Sequence, residues 1–274
     1  MLLREVEYAR PETIDEAVRL LSSREDARAL AGGQSLVNVM KTRVAAPELL
    51  VDLNRIPELR EIKQAADGAL ELGAMVTYDE LIRSDAARAA RPILGEVAIT
   101  IADVQVRNRG TVGGNLCIND PTNHLPPLMM TTGATMTIRS LEAERTVTSG
   151  EFFQGVYLTA VTPGEMLTRV TVPALQPGEG DGWASVTLGK EGTGIVNVAA
   201  TVRDGQATIA IGCVSAVPVV VTAEADEVSV RKAVADADLD PPSDVHASAD
   251  YRRHLAQVLA WRAVADAINR VGGD

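Results

Sequence analysis

Two short glycine-rich stretches hold the groups best suited to chemistry in this chain: Ala31-Gly32-Gly33-Gln34-Ser35-Leu36 and Thr111-Val112-Gly113-Gly114-Asn115. Each follows an apolar segment. Paired glycines expose backbone N–H groups and permit positive φ, so a turn built on them can wrap an anion closely. Ser35, Thr111 and Asn115 add side-chain donors. Two such loops, if they converge, would clamp a diphosphate, the most charged part of a dinucleotide. Neither fits G-x-G-x-x-G or G-x-x-x-x-G-K-S/T, so the chain carries neither a Rossmann fingerprint nor an NTPase phosphate loop. Taken alone, both stretches also read as ordinary tight turns.

Other reactive residues make weaker cases. Cys117 and Cys213 are far apart, with no C-x-x-C and no histidine at ligand spacing, and read as reduced core thiols. Two thiols fall short of the roughly four protein ligands an iron–sulfur cluster needs. His246 and His254 stand around a helix start and read as solvated, so no protein-bound metal is expected. Ser35 lacks a neighbouring base, and G-x-S-x-G is absent, which leaves hydrolysis by a serine nucleophile unsupported. Asp15-Glu16 favours a helix dipole and needs no function.

The elements around the first stretch form a small βαβ unit. Glu5–Tyr8 reads as a strand, and Thr13 starts a T-I-D-E capping pattern ahead of Ala17, Val18, Leu20 and Leu21 on one helix face. Ala27–Leu30 reads as a strand, followed by the Gly32-Gly33 turn, a helical stretch Leu36–Thr42 and a strand Leu49–Leu53. Further on, Ala69–Gly73 reads as a strand, and Tyr78–Ile82 and Arg91–Val97 as helices. The segment TVGGNLCINDPTNHLPP is dense in turn formers and reads as loop, with a helical turn at Leu128–Thr132. Thr135–Arg139 and Arg145–Thr148 read as paired strands, and Glu165–Val172 as a strand stopped by Pro173.

Gln176 to Gly182 reads as a linker. Beyond it, Ile195–Val202 and Ala207–Cys213 flank Asp204-Gly205, a strong hairpin signal. Asp226–Ala235 and Ala249–Val271 read as helices.

Composition narrows the function classes. The chain has 274 residues and a net charge of −11, and it holds only 2 Phe, 2 Trp and 4 Tyr, so its core is aliphatic. Acidity repels phosphate backbones, and so few rings offer no stacking platform; nucleic acid is excluded as a main partner. The start has no signal-peptide pattern, and the most apolar stretch, Thr208 to Ala223, is broken by Ser215 and Pro218. The expectation is a cytoplasmic protein with no membrane span.

The wording of AGGQSLVNVMKTR, LVDLNRI, IADVQVRNRGTVGGNLCINDPTN and LTAVTPGEMLTRVTVP resembles one family, the flavin-binding medium subunits of molybdenum hydroxylases such as carbon monoxide dehydrogenase and xanthine dehydrogenase. A G-G-[HQ]-S loop with T-[IV]-G-G-N about 80 residues later is a specific combination, though either half alone is weak. The likeness implies an α+β chain with a FAD-binding fold of the vanillyl-alcohol oxidase type. Two subdomains, 1–56 and 57–175, would hold FAD, and a C-terminal domain of antiparallel sheet plus helices would follow over 176–274. By position, the resemblance assigns FAD contacts to Ala31, Gly32, Gly33, Gln34, Ser35 and Leu36, to Thr111, Val112, Gly113, Gly114 and Asn115, and to Asp120 and Leu167.

Two departures stand out. Relatives read D-P-x-x-D after the second loop, whereas this chain reads Asp120-Pro121-Thr122-Asn123-His124, with His124 in the place of a carboxylate. The K-x-x-x-R stretch of relatives is shortened to Val186–Gly192, leaving Thr187 or Lys190 as its counterpart, and Lys190 is the candidate taken. The resemblance further implies partners that bring a 2Fe–2S small subunit and a molybdopterin-binding large subunit to a heterotrimer, with electron transfer through FAD to an outer acceptor. No side chain of this chain is assigned as catalytic. The alternatives are a stand-alone FAD-dependent oxidoreductase, which would need a base over the flavin, and a non-flavin descendant acting as an interaction protein.

Overall fold

A parallel three-stranded sheet comes first along the chain, in a computed structural model that describes residues 3–189 and 192–271. Its elements are β1 (Glu7–Ala9), α1 (Ile14–Leu21), β2 (Ala27–Leu30), α2 (Leu36–Lys41) and β3 (Leu49–Asp52). The strand order is β1-β3-β2, both pairings parallel, with Ala27 opposite Leu49 and Leu30 opposite Asp52. The capping pattern read from T-I-D-E is present: Thr13 Oγ1 accepts from the Glu16 N–H at 3.2 Å. It starts a helix that buries Ala17, Val18 and Leu21 against Val51 and Leu53. All four residues of the central strand β3 are buried, as both faces of a middle parallel strand are covered. Two short 3-10 turns, Leu53–Arg55 and Pro57–Arg60, lead out of the sheet.

The second unit holds β4 (Ile62–Gln64), β5 (Leu70–Gly73) and a run of short helices: α3 (Tyr78–Arg83), α4 (Asp85–Ala90), α5 (Ile93–Ala98), α6 (Val104–Arg107), α7 (Val112–Ile118) and α8 (Leu125–Thr131). It is completed by β6 (Thr135–Arg139), β7 (Glu144–Thr148), α9 (Ser149–Phe152), the small hairpin β8 (Phe153–Gly155) and β9 (Leu158–Thr159), and β10 (Met166–Val172). The sheet runs β4-β5-β10-β6-β7 and is antiparallel throughout. The loop expected over residues 111–127 is instead α7 and the start of α8, with only residues 119–124 left as a turn between them. Val112 and Gly113 donate their N–H groups to the carbonyls of Val76 and Ala74 at 2.8 and 2.9 Å, so two groups that a free helix start would leave unpaired are satisfied from another segment. Tertiary contact thus overrides the poor helix propensity of Gly113-Gly114.

The third unit is a four-stranded antiparallel sheet, β11 (Glu179–Thr187), β12 (Gly194–Arg203), β13 (Gln206–Gly212) and β14 (Val219–Glu224), with α10 (Glu227–Asp236) and α11 (Ala249–Arg270). Asp204 and Gly205 have φ of 50 and 76°, the double positive φ that a two-residue hairpin turn requires. The expected linker is a correction. β11 starts at Glu179, and a Cβ at Gly180 or Gly182 would lie 2.1 Å from the Ala267 carbonyl oxygen or 1.9 Å from that of Ala263. These glycines let α11 lie directly on the strand; they supply close approach, not flexibility.

The units interlock. Trp183 packs against the core of the second unit. The buried Arg91 of the second unit makes a two-fold ion pair with Asp181 of β11, both contacts at 2.7 Å. The α+β architecture expected from the sequence is the one found. Among the described residues, no helix is long and apolar enough to cross a membrane, and no group of three or more His, Cys, Asp or Glu could hold a metal ion.

Candidate functional site

The first glycine turn leaves β2 and is pinned by side chains from the end of β3. Asn54 donates from Nδ2 to the Ala31 carbonyl at 3.1 Å. Asn54 is itself fixed by Asp52, whose Oδ1 accepts its N–H at 2.9 Å and its Nδ2 at 2.6 Å. The buried Asp52 also accepts from the Tyr8 hydroxyl and pairs with Arg10 at 3.4 Å. Burial opposes its ionisation, but the hydrogen bonds from Tyr8 and Asn54, with Arg10, hold this carboxyl below its usual range. Gly33 has φ of 71°, and Gln34 Nε2 donates back to the Gly32 carbonyl at 3.0 Å. The backbone N–H groups of Gly32, Gly33, Gln34 and Ser35 have no hydrogen-bond acceptor among the described residues. Successive free N–H groups at a positive-φ turn make a concavity of positive potential.

The second segment is built differently. Thr111 caps α7, its Oγ1 accepting from the Gly114 N–H at 3.0 Å. With Val112, Gly113 and Asn115 also committed to protein carbonyls, this segment does not present the free N–H groups that its glycines suggest. Neither Gly113 nor Gly114 has positive φ. Gly113 is glycine because a Cβ would lie 2.6 Å from the Ala74 carbonyl oxygen. Asn115 Nδ2 donates to the Tyr78 hydroxyl at 2.9 Å, while its Oδ1 is buried without a partner. Burial pushes the Tyr78 hydroxyl up to about 12, so it stays protonated.

The two segments meet. A Cβ on Gly32 would lie 1.9 Å from the Arg109 carbonyl oxygen, and one on Gly114 would come within 3.5 Å of the Ala31 Cβ. Ala31 to Gln34 line a cavity of about 420 Å³ together with Tyr8, Asp52, Asn54, Lys41 and Arg109. Free N–H groups, two nearby cations and an apolar stretch at Leu30 and Val37 fit a diphosphate joined to a larger organic group. The sequence reading did not single out Tyr8, Asp52, Asn54 or Arg109 as site residues; LVDLNRI stood out only as wording shared with a family.

The remaining expected residues fall in three places. Asp120 accepts from Thr122 N–H and hydroxyl at 2.9 and 2.7 Å and from the Tyr157 hydroxyl at 3.0 Å, just beyond α7. His124 is 5% exposed and stacks on Trp183 at 5.5 Å between ring centres, its Nε2 buried without a partner. Burial draws its pKa down to about 4, so the imidazole is neutral at pH 7. Val112 and Leu167 are buried in the core of the second unit, away from the cavity lining. Ser35 and Leu36 start α2. Lys190 lies outside the described residues. Cys117 and Cys213 are free thiols, and desolvation pushes both up to about 12, so neither is a nucleophile at neutral pH.

Residues 4–175 match the family described as "FAD binding domain in molybdopterin dehydrogenase". The chain is 38% identical to the carbon monoxide dehydrogenase medium chain of Afipia carboxidovorans, covering 94% of this chain and 95% of the relative. It is 32% identical to the nicotine 6-hydroxylase medium subunit of Paenarthrobacter nicotinovorans, covering 97% and 99%. Among solved structures it is similar to a chain of a Cu,Mo-CO dehydrogenase, with a TM-score of 0.93 and 37% identity over 98% of this chain and 100% of that one. A chain of quinoline 2-oxidoreductase from Pseudomonas putida 86 gives a TM-score of 0.90 at 33% identity, covering 99% of each.

Proposed function

From the premise that this chain belongs to the family of FAD-binding domains in molybdopterin dehydrogenases, we propose that it serves electron transfer between a 2Fe–2S subunit and an external acceptor. FAD is its cofactor, and the chain is a flavoprotein subunit of the molybdenum hydroxylase type. The observation that carries the reading is the meeting of two distant segments, Gly32 against the Arg109 carbonyl, around four free N–H groups. Bound FAD supplies redox chemistry able to couple one-electron and two-electron partners.

The protein's part is to bind, orient and tune. The N–H groups of Gly32, Gly33, Gln34 and Ser35 hold the diphosphate, with Lys41 and Arg109 adding positive charge at the cavity wall. Asp52 and Asn54 keep that turn in shape. Thr111, Gly114 and Asn115 stand behind that turn, Gly114 facing Ala31, and the unpartnered Asn115 Oδ1 is a buried acceptor at this contact. Asp120 and His124 end the same segment, and a neutral imidazole at His124 offers one hydrogen bond without adding charge. The same reading divides the chain into a FAD-binding part, 1–56 and 57–175, and a C-terminal domain, 176–274.

The similar proteins are named as medium chains and medium subunits, which supports a complex with a molybdopterin-binding large subunit and a 2Fe–2S small subunit. The two free thiols, Cys213 buried and Cys117 half-buried, support a reducing compartment, the cytoplasm. The test is an absorbance spectrum of the purified chain with and without added FAD, then denaturation. Flavin bands that release FAD on unfolding are expected. A colourless chain that ignores FAD both alone and with its partner subunits would overturn the reading.

A further inference from the structure

The segments of the proposed cofactor site all precede residue 175, yet the C-terminal sheet grips one of them from behind. Asn197 in β12 is 0% exposed, and its Nδ2 donates to the carbonyls of Thr122 at 2.9 Å and Asn123 at 3.4 Å. Gly194 makes room for that amide, since a Cβ there would lie 2.5 Å from Asn197 Nδ2. Just past β13, the Cys213 N–H donates to the Pro121 carbonyl at 3.1 Å from a backbone at φ 68°. The gripped turn passes the hold onward. Asn123 Nδ2 donates to the Asn115 carbonyl at 2.9 Å, and Asn115 Nδ2 donates to Tyr78. Tyr78 in turn donates its N–H to the Gly110 carbonyl at 3.1 Å, next to the residue that meets Gly32.

We infer that Asn197 is a positioning residue of the cofactor site, holding α7 against the first glycine turn through a chain of asparagine amides, Asn197 to Asn123 to Asn115. The C-terminal sheet is therefore a template for the site as well as a packing partner. In a buried network each hydrogen bond fixes the geometry of the next, and low local polarity strengthens all of them. Removing the Asn197 donor leaves two carbonyls unpaired and lets the Thr122–Asn123 turn move. The inference rests on the FAD reading of the site.

The test uses the full chain, freed of flavin, with two readouts: FAD affinity by titration, and hydrogen–deuterium exchange over residues 112–123. Asn197→Asp keeps the shape and removes the donor. Val198→Ala truncates a buried side chain on the other face of the same strand, in the C-terminal core. Asn123→Ala, at a half-buried position, is a second probe of the chain should Asn197→Asp fold poorly. Both asparagine variants are expected to weaken FAD binding by about tenfold or more and to speed exchange over 112–123. Val198→Ala is expected to lower the melting temperature while FAD affinity stays within about twofold. Asparagine variants that bind FAD like the wild type, or affinity losses that follow stability in Val198→Ala as well, would overturn the inference. A wild-type chain that takes up no FAD either alone or with its partner subunits would overturn the FAD reading separately, and the exchange data would still decide whether Asn197 orders α7.

Discussion

Gly32→Ala is the substitution that most directly challenges the site. The added Cβ would lie 1.9 Å from the Arg109 carbonyl oxygen, 2.6 Å from its carbon and 3.0 Å from the Gly110 Cα. Ordinary contact needs about 3.4 Å or more, so the two segments must part by roughly 1.5 Å. Residues 109 and 110 cannot yield readily: Arg109 and Gly110 both donate to the Val106 carbonyl, and Gly110 accepts from Tyr78. The first glycine turn must move instead, against the Asn54 to Ala31 hydrogen bond. Overpacking of this kind costs about 1–3 kcal/mol, which corresponds to a loss in FAD affinity of roughly 5- to 150-fold if the strain is relieved in the FAD-free chain. Quenching of flavin fluorescence on titration measures that loss, with a thermal melt alongside. Gly133→Ala is the control: unlike Gly32, Gly133 has positive φ, at 67°, and its added Cβ would meet nothing within 4 Å, so it adds backbone strain without close approach. It is expected to cost about 1 kcal/mol of stability and to leave FAD affinity unchanged. FAD affinity within about twofold of wild type in Gly32→Ala, or an equal loss in Gly133→Ala, would refute the argument from close approach.

Two further outcomes follow from buried ionisable groups. Asp181→Asn leaves the buried Arg91 guanidinium without its carboxylate, and urea unfolding is expected to show a loss of about 3–5 kcal/mol; the double change Arg91→Met with Asp181→Leu should cost less than the single one, and an Asp181→Asn protein as stable as wild type would show that the pair does not hold the units together. For His124, burial lowers the folded pKa from 6.5 to about 4, so the unfolded chain takes the proton first as pH falls; the contribution of about 3 kcal/mol is present above the unfolded value and is lost as pH falls from 6.5 toward about 4. His124→Phe, which keeps the stack on Trp183, should flatten that part of the stability–pH curve relative to wild type, and an unchanged slope between the two proteins would show that His124 titrates normally.

Locally encoded features were legible without the fold. Thr13 with Glu16 announced the start of α1, Ala27–Leu30 was bounded as a strand, and Asp204-Gly205 marked its hairpin, because each signal lies within a few residues of the structure it sets. The resemblance in wording pointed to FAD through the two glycine stretches together. What misled was glycine itself. Gly113 and Gly114 read as loop and Gly180 and Gly182 as linker, since chain composition cannot say whether a missing Cβ serves motion or contact. The answer depends on Ala74 facing the first pair and on α11 lying over the second.

The sequence by itself determined the aliphatic α+β character, the family and the cofactor class, because those depend on residue types and on spacing along one chain. Tertiary structure decided which glycine turn offers its N–H groups and which has spent them inside the protein. It also brought in Tyr8, Asp52, Asn54 and Arg109 as cavity walls, buried Leu167 in the core, and set His124 against Trp183. Each of these depends on which distant segment comes to lie within a few ångströms, and in a close-packed chain that neighbour is chosen by the fold as a whole.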